Sequence, residues 1–169
     1  MTCSSKSILS PIFIGGAMIL LISFAIRSSF GLFQIPIETE FNWLRSDFTL
    51  AIAIQNLFWG IATPFFGAFA EKIGDRKAIL FGGLLYALGL LISSGATSPE
   101  SHQFLNIIIG CGIAGTGFGP ILAVIGRSTQ PEKRSFALGL ATAAGSAGQV
   151  VGPPFVNSLL LIFNWSEIF

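Results

Sequence analysis

Long apolar stretches separated by short polar segments are the dominant pattern of the chain. Five of these stretches are nearly free of charged residues, and they cover residues 12–34, 48–70, 78–96, 104–125 and 136–163. A helix that crosses the apolar core of a bilayer, which is about 30 Å thick, needs about 20 such residues. The stretches lack the alternation of apolar and polar positions that is typical of membrane barrel strands. The pattern therefore predicts an all-α membrane protein with five transmembrane helices.

The composition supports lipid as the main surroundings of the chain. Of the 169 residues, 52% are hydrophobic and only 10% are charged, whereas about 25% of the residues of a soluble domain are charged. So little charge does not cover a surface that faces water. The net charge of +1 gives no reason to expect a nucleic acid partner. The lipid bilayer is the expected partner.

Basic residues predict the orientation of the helices. The amino-terminal tail (residues 1–11) and the second-to-third and fourth-to-fifth connectors share one side of the membrane. That side carries most of the basic residues, namely Lys6, Lys72, Arg76, Lys77, Arg127, Lys133 and Arg134. The positive-inside rule then predicts a cytoplasmic amino terminus in a multi-pass protein of the inner (plasma) membrane. A cleaved signal peptide is disfavoured because the first apolar stretch is longer than a signal-peptide core.

The segment IIIGCGIAGTGFG, residues 107–119, contains the spacing G-x-G-x-x-G at Gly110, Gly112 and Gly115. After a strand, that spacing indicates a dinucleotide-binding turn. Here a glycine- and proline-containing segment follows instead of a good helix former, and Glu132 lies in a connector rather than at the end of a second strand. The glycines are better interpreted as close-packing positions of a membrane helix. No cofactor is predicted.

The polar residues of the chain do not form a recognisable catalytic or metal centre. The cysteines Cys3 and Cys111 are far apart, and His102 lies in the polar connector TSPESHQ, so neither a disulfide framework nor a metal site follows. Ser146 in AGSAG resembles a hydrolase nucleophile only loosely, since a nearby His–acid pair is missing. The sequence does not predict an enzyme.

Arg27 is the residue that carries the most functional information. It lies inside the first apolar stretch, seven to nine residues from its outer end. An unpaired arginine at this depth costs at least about 2.5 kcal/mol, so it should face a wet cavity or an anionic partner. One interpretation is a fixed cation that binds the carboxylate of a substrate. The other is a structural pair with a carboxylate or with carbonyl groups of a neighbouring helix.

Four amide side chains are further candidates for substrate binding, and they are Gln55, Asn56, Asn106 and Gln149. Amides inside membrane helices either line a cavity or hold two helices together by hydrogen bonds. The sequence leaves both interpretations open for each of them.

Small residues form two stripes that predict tight helix packing. In the fifth stretch they recur at helical spacing, at Ala141, Gly145, Gly148 and Gly152, and Pro153 and Pro154 follow. These prolines interrupt the hydrogen-bond ladder and should bend the helix. A similar stripe in the second stretch consists of Asn56, Gly60, Thr63 and Gly67.

Several of these segments together resemble the major facilitator superfamily. GAFAEKIGDRK (Gly67–Lys77) is similar to the loop signature between the second and third helices, and GSAGQVVGPP (Gly145–Pro154) to the glycine–proline motif of the fifth helix. RSSFGLF (Arg27–Phe33) and residues 41–67 resemble the branch that includes oxalate/formate antiporters and monocarboxylate transporters. The resemblance covers nearly the whole chain, from about Gly15 to Trp165.

The resemblance implies roles for particular positions. Residues that help to close the cytoplasmic side would be Gly67, Glu71, Lys72, Gly74 and Arg76. The packing and bending face of the fifth helix would consist of Gly145, Gly148, Gly152 and Pro153. Three positions depart from the family pattern: Glu71 replaces the usual aspartate, which is a mild change, Asp75 replaces a common basic residue, and Asn106 replaces an arginine of many proton-coupled members. Asp75 is therefore expected to weaken the charge network of the loop.

The family fold has twelve helices in two six-helix halves, each built from two inverted repeats. Residues 12–169 would form an incomplete amino-terminal bundle, whose partner is a carboxy-terminal half that is not part of this sequence. The implied function is secondary transport of small organic anions, monocarboxylates or dicarboxylates, by alternating access. The alternatives are a protein that naturally has five spans and a scaffold that uses its glycine faces to bind other membrane helices.

Overall fold

A computed structural model of the protein describes residues 10–168, and the architecture of this part is entirely helical. The prediction of an all-α fold is confirmed. Each of the five predicted stretches corresponds to a long helix, and a short sixth helix follows. The helices are α1 (Pro11–Phe41), α2 (Arg45–Ile73), α3 (Asp75–Ser93), α4 (Pro99–Ser128), α5 (Pro131–Leu160) and α6 (Trp165–Ile168).

Two of the long helices are locally interrupted. Helix α1 tightens into a 3₁₀ turn at Phe30–Phe33 before it continues to Phe41. Helix α4 is interrupted at Gly117, whose extended backbone separates Pro99–Thr116 from Phe118–Ser128. By contrast, the backbone of α5 remains helical through Pro153 and Pro154.

Four helices within the described residues, α1 to α4, are long and apolar enough to cross a membrane. The fifth predicted span, α5, is a helix of 30 residues, but it is not among these four. Its middle section consists largely of Gly, Ala, Ser, Thr and Gln, which give it close-packing surface rather than apolar bulk.

The helices extend further than the apolar stretches that predicted them. Helix α1 continues past residue 34 to Phe41 and ends where Asn42 adopts a left-handed backbone, with φ 54°. Gly74, with φ 92°, is the only residue between α2 and α3. Glycine tolerates this conformation because it has no Cβ. The predicted connector between the second and third spans is thus almost entirely helical, and residues 1–9 of the predicted tail lie outside the described residues.

His102 lies in the first turns of α4, so the prediction that it belongs to a connector is wrong. Ser98 caps this helix with its side chain, and Pro99 occupies the first helical position, where its lack of an N–H costs nothing. The ring of His102 is 1% exposed and packs on the ring of Phe48, with 5.5 Å between centroids. Its Nδ1 lies 2.9 Å from Ser93 Oγ. The Ser-Pro pair is therefore a helix start, although it is equally typical of a loop.

The helices pack in two groups that meet at α4. Helix α5 lies along α1, whereas α4 lies between α2 and α3 and touches α1 with its second half. Of the most apolar segment of α4, 56% is buried inside the bundle, compared with 33% or less for the other three candidate spans. The helix that contains IIIGCGIAGTGFG is therefore the central helix of the described bundle.

Glycines allow the closest helix contacts, as the sequence predicted for α4 and α5. A Cβ added at Gly152 would lie 2.5 Å from the carbonyl oxygen of Ala25, and one at Gly148 would overlap the carbonyl of Leu21. In these two places the backbones of α5 and α1 are in direct contact.

Helix α4 uses its glycines against two neighbours. A Cβ at Gly112 would lie 2.6 Å from Tyr86 Cα of α3, and one at Gly110 would lie 3.1 Å from the backbone nitrogen of Trp59 of α2. The interpretation of the 107–119 segment as a packing surface is thus supported by direct contacts.

The small-residue stripe of α2 has a different environment. Gly60 and Gly67 are exposed, and a Cβ added at either would meet nothing within 4 Å. At these two glycines the predicted tight packing is absent within residues 10–168, whereas Asn56 of the same stripe contacts Arg27 of α1.

The glycine contact between α1 and α5 predicts a position-dependent effect of adding a methyl group. We expect Gly148→Ala to lower the free energy of unfolding by about 1–3 kcal/mol, because the helices must separate to accept it. Gly139→Ala on the same helix is the matched control, since a Cβ there meets nothing within 4 Å. Denaturant titration in detergent, followed by circular dichroism, measures both, and equal stabilities of the two variants would contradict the contact.

Candidate functional site

Arg27 lies near the middle of α1. Because α1 continues to Phe41, Arg27 is 14 residues, or roughly 21 Å along the helix, from the carboxy-terminal end of α1. Its Nη2 donates a hydrogen bond of 2.6 Å to Asn56 Oδ1, and its guanidinium carbon lies 4.7 Å from the centroid of the Trp59 ring. Both partners are neutral and belong to α2.

The guanidinium of Arg27 keeps unused donor capacity. Its Nε is buried and has no hydrogen-bond partner among the described residues. The ion pair found within residues 10–168 joins Asp75 and Arg127 and does not involve Arg27. Glu38, which the longer α1 brings into the same helix, is instead bound by Gln34 Nε2 at 2.6 Å. The positive charge of Arg27 is therefore not neutralised by a carboxylate in this part of the chain.

Arg27 lines a cavity of about 360 Å³ between α1 and α2. The cavity extends from Arg27 and Gln55 toward Gln34 and Thr49, with Phe48 and Ile52 on the α2 side. This volume lies within the range of about 300–1,000 Å³ that is usual for small-molecule sites. A cation beside a partly polar cavity of this size is an arrangement that can hold a small anion.

The amide residues predicted as binding candidates separate into three environments. Gln55 and Asn106 are almost completely buried and bind each other, with 3.1 Å between Gln55 Nε2 and Asn106 Oδ1. Asn56 binds Arg27 and donates to the Ile52 carbonyl at 2.8 Å. Gln149 is exposed on α5. The structure thus brings Asn56 to Arg27, joins Gln55 to Asn106 as a bridge between α2 and α4, and leaves Gln149 apart from both.

A second buried polar cluster, which no sequence pattern indicated, lies one helical turn before Arg27 along α1. Ser23 Oγ is 3.1 Å from Thr116 Oγ1, and Tyr86 Oη donates to the Ser23 carbonyl at 3.4 Å. These residues join α1, α3 and α4 next to the interruption of α4 at Gly117. Single hydroxyl groups inside apolar stretches are common, so only the non-local pairing reveals the cluster.

The end of the bundle that carries Lys72, Arg76 and Arg127 is called the basic end here. Residues implied in closing the cytoplasmic side lie at this end, around a second cavity that is separate from the one at Arg27. Its volume is about 660 Å³, and it lies between α2 and α4, where its lining includes Gly67, Glu71 and Gly74. Lys72 and Arg76 are exposed at the same end. Asp75 Oδ1 accepts a hydrogen bond of 2.5 Å from Arg127 Nη2 at the end of α4. The departure at Asp75, which was expected to weaken the charge network, therefore makes an ion pair with the neighbouring helix.

These features define the class of the protein as an integral, multi-pass helical membrane protein with a half-buried arginine beside a cavity. The chain belongs to the Major Facilitator Superfamily, whose family model matches residues 15–169.

Curated relatives agree with this assignment. "Monocarboxylate transporter 13" of Rattus norvegicus is 32% identical over 151 residues, which cover 84% of this chain and 33% of the relative. "Monocarboxylate transporter 11" of Mus musculus is 29% identical, over 85% of this chain and 32% of the relative. "Methyl viologen resistance protein SmvA" of Salmonella typhimurium is 25% identical over 77% of this chain. The chain spans about a third of the length of the monocarboxylate transporters that it matches.

The bridge between Gln55 and Asn106 predicts a measurable coupling energy. In a double-mutant cycle of Gln55→Leu and Asn106→Leu, we expect a coupling of about 0.6 kcal/mol, the average for hydrogen bonds between membrane helices, and at most about 1.7 kcal/mol. The cycle is measured as the free energy of unfolding in mixed micelles. Strictly additive single substitutions would show that the two amides do not act as a pair.

Proposed function

We propose that the chain is part of a secondary transporter of small organic anions, such as monocarboxylates, that works by alternating access. Arg27 is the fixed cation that binds the anionic group of the substrate, and Asn56 and Trp59 hold its guanidinium in place. The amino terminus lies on the cytoplasmic side of the cell's inner (plasma) membrane. The rest of the substrate path comes from a carboxy-terminal half, as the one-third coverage of the relatives suggests.

The single observation that carries this proposal is the environment of Arg27. A charged guanidinium in the middle of a membrane helix is expensive unless a partner or water compensates it. Within the described residues the guanidinium has a neutral hydrogen-bond acceptor, an aromatic face and a buried Nε without a partner, and Arg27 lines a cavity. An anion supplies the missing compensation, whereas a helix-bridging arginine would be expected to have its donors filled.

The names of the relatives support a monocarboxylate as the anion in this proposal. Two of the chains most similar to this one carry names that describe monocarboxylate transporters. A carboxylate also matches the planar fork of an arginine, which binds it with two parallel hydrogen bonds.

Two parts of the chain would carry the conformational change of the proposed transport cycle, namely residues 67–77 at the basic end and the glycine face of α5. Residues 67–77 help to close the cytoplasmic side of the transporter. The residues that take part are Gly67, Glu71, Lys72, Gly74 and Arg76. On α5 the bending and sliding face consists of Gly145, Gly148, Gly152 and Pro153. The backbone contacts of Gly148 and Gly152 with α1 support this role, because a small face allows one helix to move against another without side-chain clashes.

The role of Arg27 predicts that its removal abolishes anion binding. Trp59 contacts the guanidinium, so tryptophan fluorescence of the purified chain reports on an anion that displaces it. We expect Arg27→Gln to weaken binding of a monocarboxylate at least about 30-fold, the equivalent of about 2 kcal/mol for a lost buried charge partner. Uptake of the same labelled anion into proteoliposomes by the transporter completed with its carboxy-terminal half is the second measurement.

Two control variants define the outcome of this experiment. Arg45→Gln removes an exposed arginine at the start of α2 and should leave binding unchanged. Trp59→Phe should remove the anion-induced change that comes from Trp59, while the other two tryptophans of the chain continue to fluoresce. Binding and uptake that persist in Arg27→Gln would overturn the assignment.

Asn56 predicts a complementary test in which a carboxylate competes with the substrate. Asn56 Oδ1 already lies 2.6 Å from Arg27 Nη2, so Asn56→Asp creates an internal ion pair with almost the same shape. We expect anion binding to fall further in Asn56→Asp than in Asn56→Leu, because Leu removes the amide that positions Arg27 but adds no competing charge. Equal binding by the two variants, measured by the same titration, would contradict an electrostatic role of the site.

A further inference from the structure

A groove of about 760 Å³ lies at the basic end of the bundle, away from the Arg27 site. It is formed by the first turns of α1 and α3 and by the second half of α4. Its walls are mainly aliphatic and include Ile12, Ile19, Ile79, Leu80 and Val124. Its rim contains three consecutive charged residues at the start of α3, which are Asp75, Arg76 and Lys77.

Two glycines of α1 explain why the groove exists. At Gly16 a Cβ would lie 3.0 Å from Ile125 Cδ1, so α1 and α4 are in close contact there. At Gly15 a Cβ would meet nothing within 4 Å, and this residue is exposed. The groove therefore remains open where α1 has no side chain. Between Pro11 and Ile19, both in its lining, it extends roughly 12 Å along α1 toward the middle of the membrane.

The charges at the rim are not balanced. Asp75 is bound to Arg127 at 2.5 Å, so its carboxylate is already engaged. Arg76 and Lys77 are exposed, and neither takes part in an ion pair with another described residue. Two cations with long apolar stems therefore stand at the mouth of an aliphatic groove, and such side chains place their charge at the membrane interface.

We propose that this groove binds one anionic phospholipid. An acyl chain lies along the aliphatic walls between α1, α3 and α4, and Arg76 and Lys77 bind the phosphate of the headgroup. Basic pockets between transmembrane helices are known sites for anionic headgroups, and each basic residue near the surface contributes about a fivefold gain in affinity. A zwitterionic lipid fills the walls equally well but gains less from two cations.

The shape of the site distinguishes a lipid from a free anion. An inorganic phosphate would satisfy the rim but leave the aliphatic walls of the groove empty. A phospholipid occupies both parts with one molecule. The proposal does not depend on transport or on the Arg27 site, since the groove shares no residue with the cavity at Arg27.

Lipid retention by the full chain tests the proposal. The chain is purified from bilayers of equal amounts of phosphatidylglycerol and phosphatidylcholine, and native mass spectrometry counts the lipids that remain bound. We expect one phosphatidylglycerol in preference to phosphatidylcholine. In the double variant Arg76→Gln/Lys77→Gln, this preference should fall about 25-fold, that is, fivefold for each charge. Gly15→Leu, which fills the groove, should reduce retention of both lipids.

Matched controls separate the groove from general charge and bulk effects. Lys133→Gln/Arg134→Gln removes two basic residues from the same end of the bundle, at the start of α5. Gly139→Leu adds a side chain at another position that is open within 4 Å. Both should retain the wild-type preference. The proposal is overturned if the controls lose it equally, if Gly15→Leu retains lipid normally, or if millimolar inorganic phosphate alone displaces the lipid.

Discussion

The bundle depends on the close approach of helix backbones at glycine residues. In lipid, apolar side chains gain little by moving from the acyl chains to a neighbouring helix, so dispersion contacts and hydrogen bonds have to hold the helices together. Backbone reaches backbone where Gly148 of α5 meets Leu21 of α1, and where Gly112 of α4 meets Tyr86 of α3. The distance between these helices is set by the absence of a side chain. Every polar contact across the same interfaces requires that distance.

Close packing therefore decides which polar side chains find partners. Gly110 brings α4 against the backbone of α2 at Gln55. Asn106 lies one helical turn before Gly110 on α4, and its side chain binds the side chain of Gln55 out of contact with solvent. Neutral amides are satisfied in this way without any help from water. Arg27 differs, because its partners Asn56 and Trp59 bring no negative charge. The contrast is physical: an amide pair compensates itself, whereas a cation in a bilayer needs an anion or water.

The helices and two of the packing faces can be predicted from sequence because they depend on local patterns. Apolar length identified the helices, and small residues at helical spacing identified the contact face of α5. On α2 the same spacing does not mark tight packing at Gly60 and Gly67, which no other residue of 10–168 covers. Spacing indicates that a face is small, not that a neighbour covers it. Ser23 and Thr116 had no sequence signal, because their contact joins residues 93 positions apart. Arg27 itself was identifiable because an arginine inside an apolar stretch is costly wherever its partners lie.

Trp59 lies where the glycine contacts and the polar groups meet. Its ring is 4.7 Å from the guanidinium carbon of Arg27 and packs edge-on against Phe24, with 6.0 Å between ring centroids. Its Nε1 is 3.3 Å from the position of a Cβ at Gly117, the residue whose extended backbone interrupts α4. The cation on α1 and the break in α4 thus share one side chain of α2. A change in the Trp59 side chain would therefore alter the surroundings of Arg27 and of the α4 interruption together.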